Sequence, residues 1–486
     1  MELSREAFDK LVAENPTALY ALVQGLARQV ATLTAQQAGL TAQVQELTGR
    51  LGQHSQNSHR PPASDGPQVA PRSQRQRSGK RPGGQPGHPG QSLAMCAQPD
   101  MVVPHHPAVC GQCGADLTAI AATRVARRQV VDLPPLALEV TEHQAATVRC
   151  PHCAQPTTAP FPDGLAPGVQ YGPQLLGLGL YLRHYQLLPY RRIVETVTDL
   201  FGAGPSAGTL QRAGLRAAST LAPVEAALEV ALTAAAVLHA DETSIRVQGQ
   251  RVWVHVVSTA QLTHHAWHAK RGQAATHAIG ILPHYHGRLV HDAWAPYWAV
   301  PARHALCDAH LLRDLAAVAE GPGQAWATAL QTFLRAVYRE IAAKRRAGLR
   351  ACAPARLATL GRRYARLLTL GEAANPPPQR QAGDPTRGRL KQSKARNLLD
   401  RLRTHADAVL AFLYDWTVPF DNNQAERDLR MIKVQQKISG TFRDPASADA
   451  FCRLRSYIAT LRKQGHALLS ALARTLQGQP PFPYLA

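Results

Sequence analysis

The stretch AVLHADETSIRVQGQRVWVHVVSTAQLTHHAWHA (residues 236–269) decides the fold of the central part of the chain. It begins with an apolar run at 236–239, and residues 251–258 then alternate between apolar and polar side chains. A third run of strand-forming residues covers 262–269. Short runs of this kind, separated by polar and glycine-containing turns, predict three successive β-strands.

A helical pattern at 274–282 and a short apolar strand at 287–290 follow. Three strands, a helix and a fourth strand match the opening of a ribonuclease-H-like sheet. In such a sheet the first and fourth strands are neighbours, so Asp241 and Asp292, which we expect to end them, would face one cleft. From 308 to about 406 the pattern is helical and Arg-rich, which indicates a helical insertion.

A third carboxylate, Glu426, follows residues that are typical of a helix start, with Asp421 or Asn422 as the predicted cap. Three acids in one cleft would raise one another's pKa, and a pair of Mg²⁺ ions, or Mn²⁺ in their place, would remove that penalty. Two such ions about 4 Å apart suit phosphodiester cleavage and transfer. Sequence spacing alone does not show which acids bind the metal ions, because other acidic residues nearby are also candidates. These are Glu242, Asp308, Asp314, Asp421 and Asp428.

The chain is long and strongly basic. Its 486 residues predict two to four domains, and 54 Lys and Arg against 33 Asp and Glu give a net charge of +21. This excess excludes an ordinary acidic cytosolic enzyme and makes a polyanion the first candidate partner, although charge does not separate nucleic acid from anionic lipid. The N-terminus is unlike a signal peptide and no apolar run approaches ~18 residues, so we expect a cytoplasmic, nucleoid-associated protein without a membrane partner.

The N-terminal segment, residues 1–52, carries a heptad pattern. Alternating steps of four and three residues give a row in which only Gln37 is polar. The row is Leu19, Val23, Leu26, Val30, Leu33, Gln37, Leu40, Val44, Leu47 and Leu51. Such a period favours a coiled coil that pairs identical chains. One amphipathic helix packed on its own domain is the alternative.

A linker is predicted at residues 53–95, because Ser, Gln, Pro and Gly dominate its composition. The segment contains several Arg and Lys residues and one acidic residue, Asp65. A strand of this composition either follows a phosphate backbone or is a solvated tether.

A small module at residues 96–165 contains two Cys-x-x-Cys pairs. The four cysteines are Cys110, Cys113, Cys150 and Cys153. Two such knuckles provide four thiolates in a closed tetrahedral site, which suits a structural Zn²⁺ ion. Two redox-active or unligated pairs are the alternative. Strand-like patterns between the pairs lie at 124–133 and 136–149.

The segment 166–230 has helical patterns, with a turn and helix cap predicted at 205–210. It could form a helix-turn-helix DNA reader, or a bundle that packs on the core. The C-terminal residues, 446–486, are also predicted to be helical.

Several motifs in a fixed order resemble bacterial DDE transposases of the insertion-sequence-66 family. They include Gly-Gln-Pro-Gly-His at 84–88, the paired cysteines, His-Ala-Asp-Glu-Thr at 239–243, His-Asp-Ala-Trp-Ala-Pro-Tyr at 291–297, Cys-Asp-Ala-His-Leu-Leu-Arg at 307–313, Asn-Asn-Gln-Ala-Glu-Arg-Asp-Leu-Arg at 422–430 and Lys-Ile-Ser-Gly-Thr-Phe-Arg at 437–443.

The resemblance implies that Asp241, Asp292 and Glu426 are the catalytic triad and hold the two Mg²⁺ ions. The gap of 426 − 292 = 134 residues implies a helical insertion, at about 308–406, in a ribonuclease-H-like core at 231–445. The fold class is therefore multidomain α/β, with an N-terminal coiled coil and a small zinc-binding module. Ala293 departs from the family, which more often has glycine there.

The implied function is that of a DNA transposase, which cleaves strands at the ends of an insertion sequence and transfers them into target DNA. The implied partners are the terminal inverted repeats, target DNA, a second copy of the chain and accessory proteins encoded by the element. A catalytically inactive zinc-containing DNA-binding regulator derived from a transposase is the alternative. An assembly protein that works through its coiled coil is a third class.

Basic side chains near Glu426 are candidates for DNA contact, or for pairing with Asp421 and Asp428. They are Arg427, Arg430, Lys433, Lys437 and Arg443. Cys307 and His310 have Cys-x-x-His spacing, which we interpret as structural, with a second metal site as the alternative. Most of the histidines of the strand region are expected on ordinary polar faces. They are His255, His264, His265 and His268.

Overall fold

The computed structural model describes residues 4–51, 83, 85–88, 90, 93–378 and 390–485. Nearly all of the linker predicted at 53–95 lies outside the described residues. No helix of the described part is both long enough and apolar enough to cross a membrane.

Helices make up most of the regular structure of the described residues, and the strands form one hairpin and one five-stranded sheet. In chain order, the helices are α1 (Arg5–Glu14), α2 (Pro16–Leu51), α3 (Pro173–Leu180), α4 (Tyr190–Phe201), α5 (Ala207–Thr220), α6 (Ala222–Thr233), α7 (Gln273–Ile279), α8 (Asp308–Ala319), α9 (Ala325–Arg346), α10 (Pro354–Ala374), α11 (Lys394–Thr404), α12 (Ala406–Val409), α13 (Ala411–Tyr414), α14 (Asn423–Ser439), α15 (Pro445–Lys463) and α16 (Leu468–Leu476). The strands are β1 (Thr147–Arg149), β2 (Pro156–Thr158), β3 (Val237–Val247), β4 (Gln250–Ser258), β5 (Thr263–His268), β6 (Arg288–His291) and β7 (Arg303–Leu306).

The N-terminal heptad segment is helical, as predicted, and α2 continues without a break for 36 residues. Its apolar row is exposed: Val30, Leu33 and Leu40 are each more than 60% accessible. The pairing of two copies through this row stays a prediction.

The cysteine module has less strand than the sequence predicts. Strands β1 and β2 form an antiparallel hairpin around the second cysteine pair, and a single antiparallel bridge between Val109 and Asp116 flanks the first. The prediction of a strand at 124–133 is wrong, and that at 136–149 holds only for its last three residues. The side chains of Val125 and Val130 are exposed, so no second layer covers an apolar face and strand pairing gains little there.

The central sheet has the order β5-β4-β3-β6-β7. Strands β3, β4 and β5 are antiparallel neighbours, whereas β6 is parallel to β3 and β7 is parallel to β6. The three predicted strands, the helix and the fourth strand are confirmed, and so is the pairing of the first strand with the fourth. The fifth strand, β7, was not predicted, because its four residues carry only a short apolar signal.

Strand β3 is longer than predicted, so the expectation that Asp241 ends it is wrong. The strand continues to Val247, where a two-residue turn leads into β4 at Gln250. Gln248 and Gly249 in this turn both have positive φ, 50° and 77°, which is the turn geometry that matches strand twist. Hairpin pairing with β4 extends β3 well beyond the end of β6.

Helices cover both faces of the sheet. Leu238 and Ala240 of β3 face a core that includes residues of α5, α6, α15 and α16. Ile245 and Val247 face the opposite way, onto α14. Because side chains alternate along a strand, Asp241 lies on the α14 face. The insertion α8–α13 is helical as predicted and has a core of its own, centred on residues such as Leu334 and Leu399.

Helix α5 supports the alternative of a bundle that packs on the core. The cap predicted at 205–210 is confirmed, since Ser206 Oγ accepts the N–H of Thr209 at 3.2 Å. Leu210, Ala213 and Ala217 are buried, and α5 packs against α15 and α16. Recognition of DNA by this segment stays a prediction.

The free edge of the sheet is closed by α15. The N–H groups of Thr263 and His265 donate to Thr460 Oγ1 at 3.0 Å and to Ser456 Oγ at 2.8 Å. The expectation that most of the strand histidines lie on polar faces is wrong, because His255, His264 and His265 are all buried. Burial disfavours the charged imidazolium and lowers the pKa of His265 to about 3.

Candidate active site and zinc module

The two aspartates of the predicted triad are close to the paired part of neighbouring strands: Asp241 lies in β3, and Asp292 directly follows the end of β6. In the parallel pair β3 and β6, His239 lies opposite Val290. Asp241 comes two residues after His239, and Asp292 comes two residues after Val290, where β6 gives way to a turn. The side chain of Asp241 points to the α14 face, because it alternates in step with Ile245 and Val247, and the charge of Asp292 lies near enough to raise the pKa of Asp241.

The carboxyl group of Asp241 is in an unfavourable setting for a negative charge. Burial raises its pKa well above the usual value, and the charges of Glu242, Asp292 and Glu426 raise it further. One hydrogen bond works in the opposite direction, from the Glu242 N–H to Asp241 Oδ1 at 2.8 Å. The site therefore has the repulsion between acids that bound cations would relieve.

Asn422 fixes the start of α14 against β3. Its side chain is fully buried, its Nδ2 donates to the Ala240 carbonyl at 2.8 Å, and its Oδ1 lies 2.8 Å from His239 Nδ1. Its backbone N–H donates to Cys307 Sγ at 3.1 Å. Asn422 is the residue before the helix, as predicted, but its side chain joins the helix to the strand next to Asp241 and does not cap it.

Glu426 lies one helical turn beyond that anchor, since its N–H donates to the Asn422 carbonyl at 3.3 Å. Its Oε1 is 3.7 Å from His310 Nδ1 and 3.7 Å from an Arg313 nitrogen. Glu426 also raises the pKa of Asp241 through its charge, so the third acid lies on the α14 side of the sheet with Asp241.

Cys307, His310 and Glu426 also have ligand atoms that all lie within 4.8 Å of one another, so they could hold a divalent ion softer than Mg²⁺. Within the described ranges, no other three His, Cys, Asp or Glu residues meet this distance, and the three acids of the triad do not. Burial raises the pKa of Cys307 to about 12, which favours a neutral thiol that accepts the Asn422 N–H. This contact agrees with a structural role, which stays a prediction.

A hydrogen-bond network centred on Glu242, next to Asp241, was not predicted from the sequence. The buried carboxylate of Glu242 accepts hydrogen bonds from Tyr297 Oη and from the guanidinium of Arg271. That guanidinium lies 3.9 Å from the ring centre of Trp294 and 4.7 Å from that of Trp253. Glu242 and Tyr297 lie in recognisable sequence motifs. Arg271 lies in a loop without such a motif, so its contact with Glu242 could not be predicted.

Ala293, the residue after the second aspartate, has φ of 69°. This left-handed conformation costs a non-glycine residue roughly 1–2 kcal/mol. Asp292 Oδ1 accepts the Trp294 N–H at 3.0 Å and so helps to hold the turn. The backbone conformation explains why glycine suits this position better than alanine.

We therefore expect Ala293→Gly to stabilise the fold by about 0.5–1 kcal/mol, the strain relieved less the entropy that glycine loses. Thermal unfolding would measure it. Ala316→Gly, in the interior of α8, is the control and should destabilise by about 1 kcal/mol. A loss of stability in Ala293→Gly as large as the control's would contradict the strain at this turn.

Most of the basic side chains predicted near Glu426 are available to a ligand. Those exposed are Arg427, Arg430, Lys437 and Arg443. Lys433 differs, because it is half-buried and its ammonium donates to the Ser244 carbonyl at 2.5 Å. Asp428 pairs with Lys463 at 2.9 Å, and Asp421 accepts the Asn423 N–H, so among the described residues neither acid pairs with these basic side chains.

The two cysteine pairs form equivalent turns. Gly114 donates its N–H to the Cys110 carbonyl at 3.0 Å, and Ala154 does the same to Cys150 at 2.9 Å. In each turn, backbone N–H groups beside the first sulfur lower its pKa, which favours the thiolate that Zn²⁺ binds. The turns are folded separately, and no three of these sulfurs lie within 4.8 Å of one another.

Comparison with known families accounts for this arrangement. Residues 168–450, more than half of the chain and the part that holds the sheet and the three acids, match the Transposase IS66 family. The chain belongs to the IS66 family of transposases. Residues 107–154 of this IS66 transposase match the zinc-finger binding domain of the family and include all four cysteines of the module. Residues 12–94 match a family of unknown function, and no curated protein matches the chain.

The zinc-finger match supports zinc binding by the module, and we expect one Zn²⁺ per chain. Cys113→Ser should lose it, because a three-thiolate site leaves one position to water. Cys96→Ser is the matched control, since Cys96 is also exposed but lies outside the two pairs. Metal analysis of the purified variants decides: full zinc content in Cys113→Ser would show that the ion is held elsewhere.

Proposed function

We propose that this IS66 transposase cleaves DNA strands at the ends of an insertion sequence and joins the freed 3′-hydroxyl to target DNA. Asp241, Asp292 and Glu426 are the proposed ligands of two Mg²⁺ ions. The observation that supports the proposal is at Asp241, whose pKa is raised by burial and by the charges of Glu242, Asp292 and Glu426, although the last two lie far away in sequence.

The core is proposed to be ribonuclease-H-like. Three antiparallel strands, a helix and two further parallel strands, with the first strand next to the fourth, support this assignment. The helical insertion α8–α13 then lies between the second aspartate and the glutamate. The predicted domain limits, 1–52, 53–95, 96–165, 166–230, 231–445 and 446–486, belong to the same proposal.

The residues of the chain have separate parts in this chemistry. The two aspartates and Glu426 supply hard oxygen ligands, and Asn422 holds the glutamate's helix against the strand of Asp241. Bound Mg²⁺ would activate the attacking oxygen and stabilise the leaving oxygen. The exposed arginines and lysines of α14 would hold the phosphate backbone, as the charge of +21 suggests.

Metal-dependent nicking separates this function from the regulator. The full chain is incubated with a plasmid that carries the sequences flanking its coding region, with Mg²⁺, with Mn²⁺ or with EDTA. Nicks at the element ends in Mg²⁺ and Mn²⁺, and none in EDTA, support the transposase. Binding of these ends without nicking in either metal would favour the inactive regulator.

Pairing of two copies through α2 is also proposed, because its exposed apolar row follows a heptad period. Replacing Val30 and Leu33 together by Asp should leave monomers in light scattering. Replacing Gln24 and Arg28, exposed on another face of α2, by Asp is the control and should not change the mass. A wild-type monomer at micromolar concentration would contradict the coiled coil.

A further inference from the structure

A pocket in the helical insertion combines aromatic rings with guanidinium groups. It has a volume of about 270 Å³ and lies between α9 and the chain that leads into α14. The residues that form its rings and charges are Tyr338, Arg345, Arg346, Phe412 and Phe420. Pockets for drug-sized ligands hold roughly 300–1,000 Å³, so this one suits a smaller planar group.

The rings form a platform that solvent reaches. Tyr338 and Phe420 are stacked, with ring centres 4.4 Å apart and planes inclined by 29°. Phe412 supports Phe420 edge-on, at 4.9 Å and 84°. Tyr338 is 44% exposed, so a further ring can reach the platform without displacing the core.

The charges at the pocket are positive. Arg345 and Arg346 end α9 and are exposed. Within the described residues, neither forms a salt bridge with an acid. An aromatic platform beside arginines is the combination that binds unstacked bases and their phosphates. An acidic partner without a planar group would pair with the arginines but would not stack on the aromatic rings.

The platform is connected through the backbone to the helix that carries Glu426. Phe420 directly precedes Asp421 and Asn422, the anchor of the helix that carries Glu426. The Phe420 carbonyl accepts the N–H of Asp308, which begins the first helix of the insertion, at 3.0 Å. This connection fixes the platform to the start of α14, and we take the strand on the platform to be the one that passes the acids.

We propose that the pocket takes an unpaired nucleobase of the DNA strand, stacked on Tyr338 and Phe420, with Arg345 and Arg346 at its phosphates. The inference rests on the proposed function, because it assumes DNA at the site. It gives the helical insertion a binding role that the chemistry of the triad does not supply.

The test compares three 30-base-pair duplexes by fluorescence anisotropy with the full chain. One is fully paired, one carries a single unpaired thymine, and one carries an abasic nucleotide at the same bulge. The abasic probe has the same backbone without the base. We expect the wild type to bind the thymine bulge roughly 5- to 150-fold more tightly than the abasic bulge, the range of one base–aromatic stack.

Tyr338→Ala should abolish that difference, whereas Tyr338→Phe should keep it. Arg339→Ala, an exposed neighbour on α9 outside the pocket, should keep it as well. Circular dichroism would show that each variant is folded. Equal binding of both bulges by the wild type, or a preference that survives Tyr338→Ala, would overturn the pocket while leaving DNA binding intact. Absence of binding to all three duplexes would overturn the proposed function itself.

Discussion

Asp241→Asn is expected to abolish strand cleavage while the protein stays folded and binds DNA. The amide has nearly the same shape but is a poor ligand for Mg²⁺. Loss of the carboxylate ligand removes several kcal/mol of transition-state stabilisation, which corresponds to a drop in rate of roughly 10³-fold or more. A cleavage assay on DNA that carries the element ends measures the effect.

Stability provides the control for this variant. Because the pKa of Asp241 is raised in the fold, its carboxylate destabilises the metal-free protein at neutral pH. Removing that charge should leave the melting temperature of the metal-free protein unchanged or higher. Mg²⁺ should raise the melting temperature of the wild type and not of Asp241→Asn. Normal cleavage by the variant would show that the triad is misassigned.

Binding of the element ends should depend steeply on salt. If six or more phosphates are neutralised, affinity falls by ~10³-fold or more between 50 and 200 mM salt, because condensed counterions are released. The net charge of +21 and the exposed cations of α14 are the basis for this expectation. Titrations at four or five salt concentrations give the slope.

Single substitutions identify which cations contribute. Arg430→Ala and Lys437→Ala should each lower the slope by about 1. Arg356→Ala is the matched control, because Arg356 lies in the helical insertion and is already paired with Glu340. Binding that is insensitive to salt would contradict a phosphate contact at this face.

The strands of the core could be predicted because each carries its own local pattern. The alternation at 251–258 and the apolar run at 236–239 both became strands. The end of β3 could not be predicted, since its second half contains polar residues and is held by the hairpin with β4. At 124–133 a strand-like pattern has no layer to pack on, and no strand forms.

The acids of the candidate site could be predicted from sequence motifs, but the hydrogen bonds that hold the surrounding residues in place could not. Asp421 or Asn422 was expected to cap the helix. Asp421 accepts the N–H of Asn423, whereas tertiary contacts with Ala240 and His239 engage the side chain of Asn422. Arg271 is 29 residues from Glu242 and has no periodic signal, so only the folded chain shows that the two meet. Contacts between distant segments of this kind are not encoded in any local pattern.

A crystal structure of the full chain soaked in Mn²⁺ tests the central claim most directly, because manganese is located by its anomalous scattering. We predict two peaks about 4 Å apart among the carboxylates of Asp241, Asp292 and Glu426. A single ion bound instead by Cys307, His310 and Glu426, with both aspartates unoccupied, would contradict the proposed two-metal site.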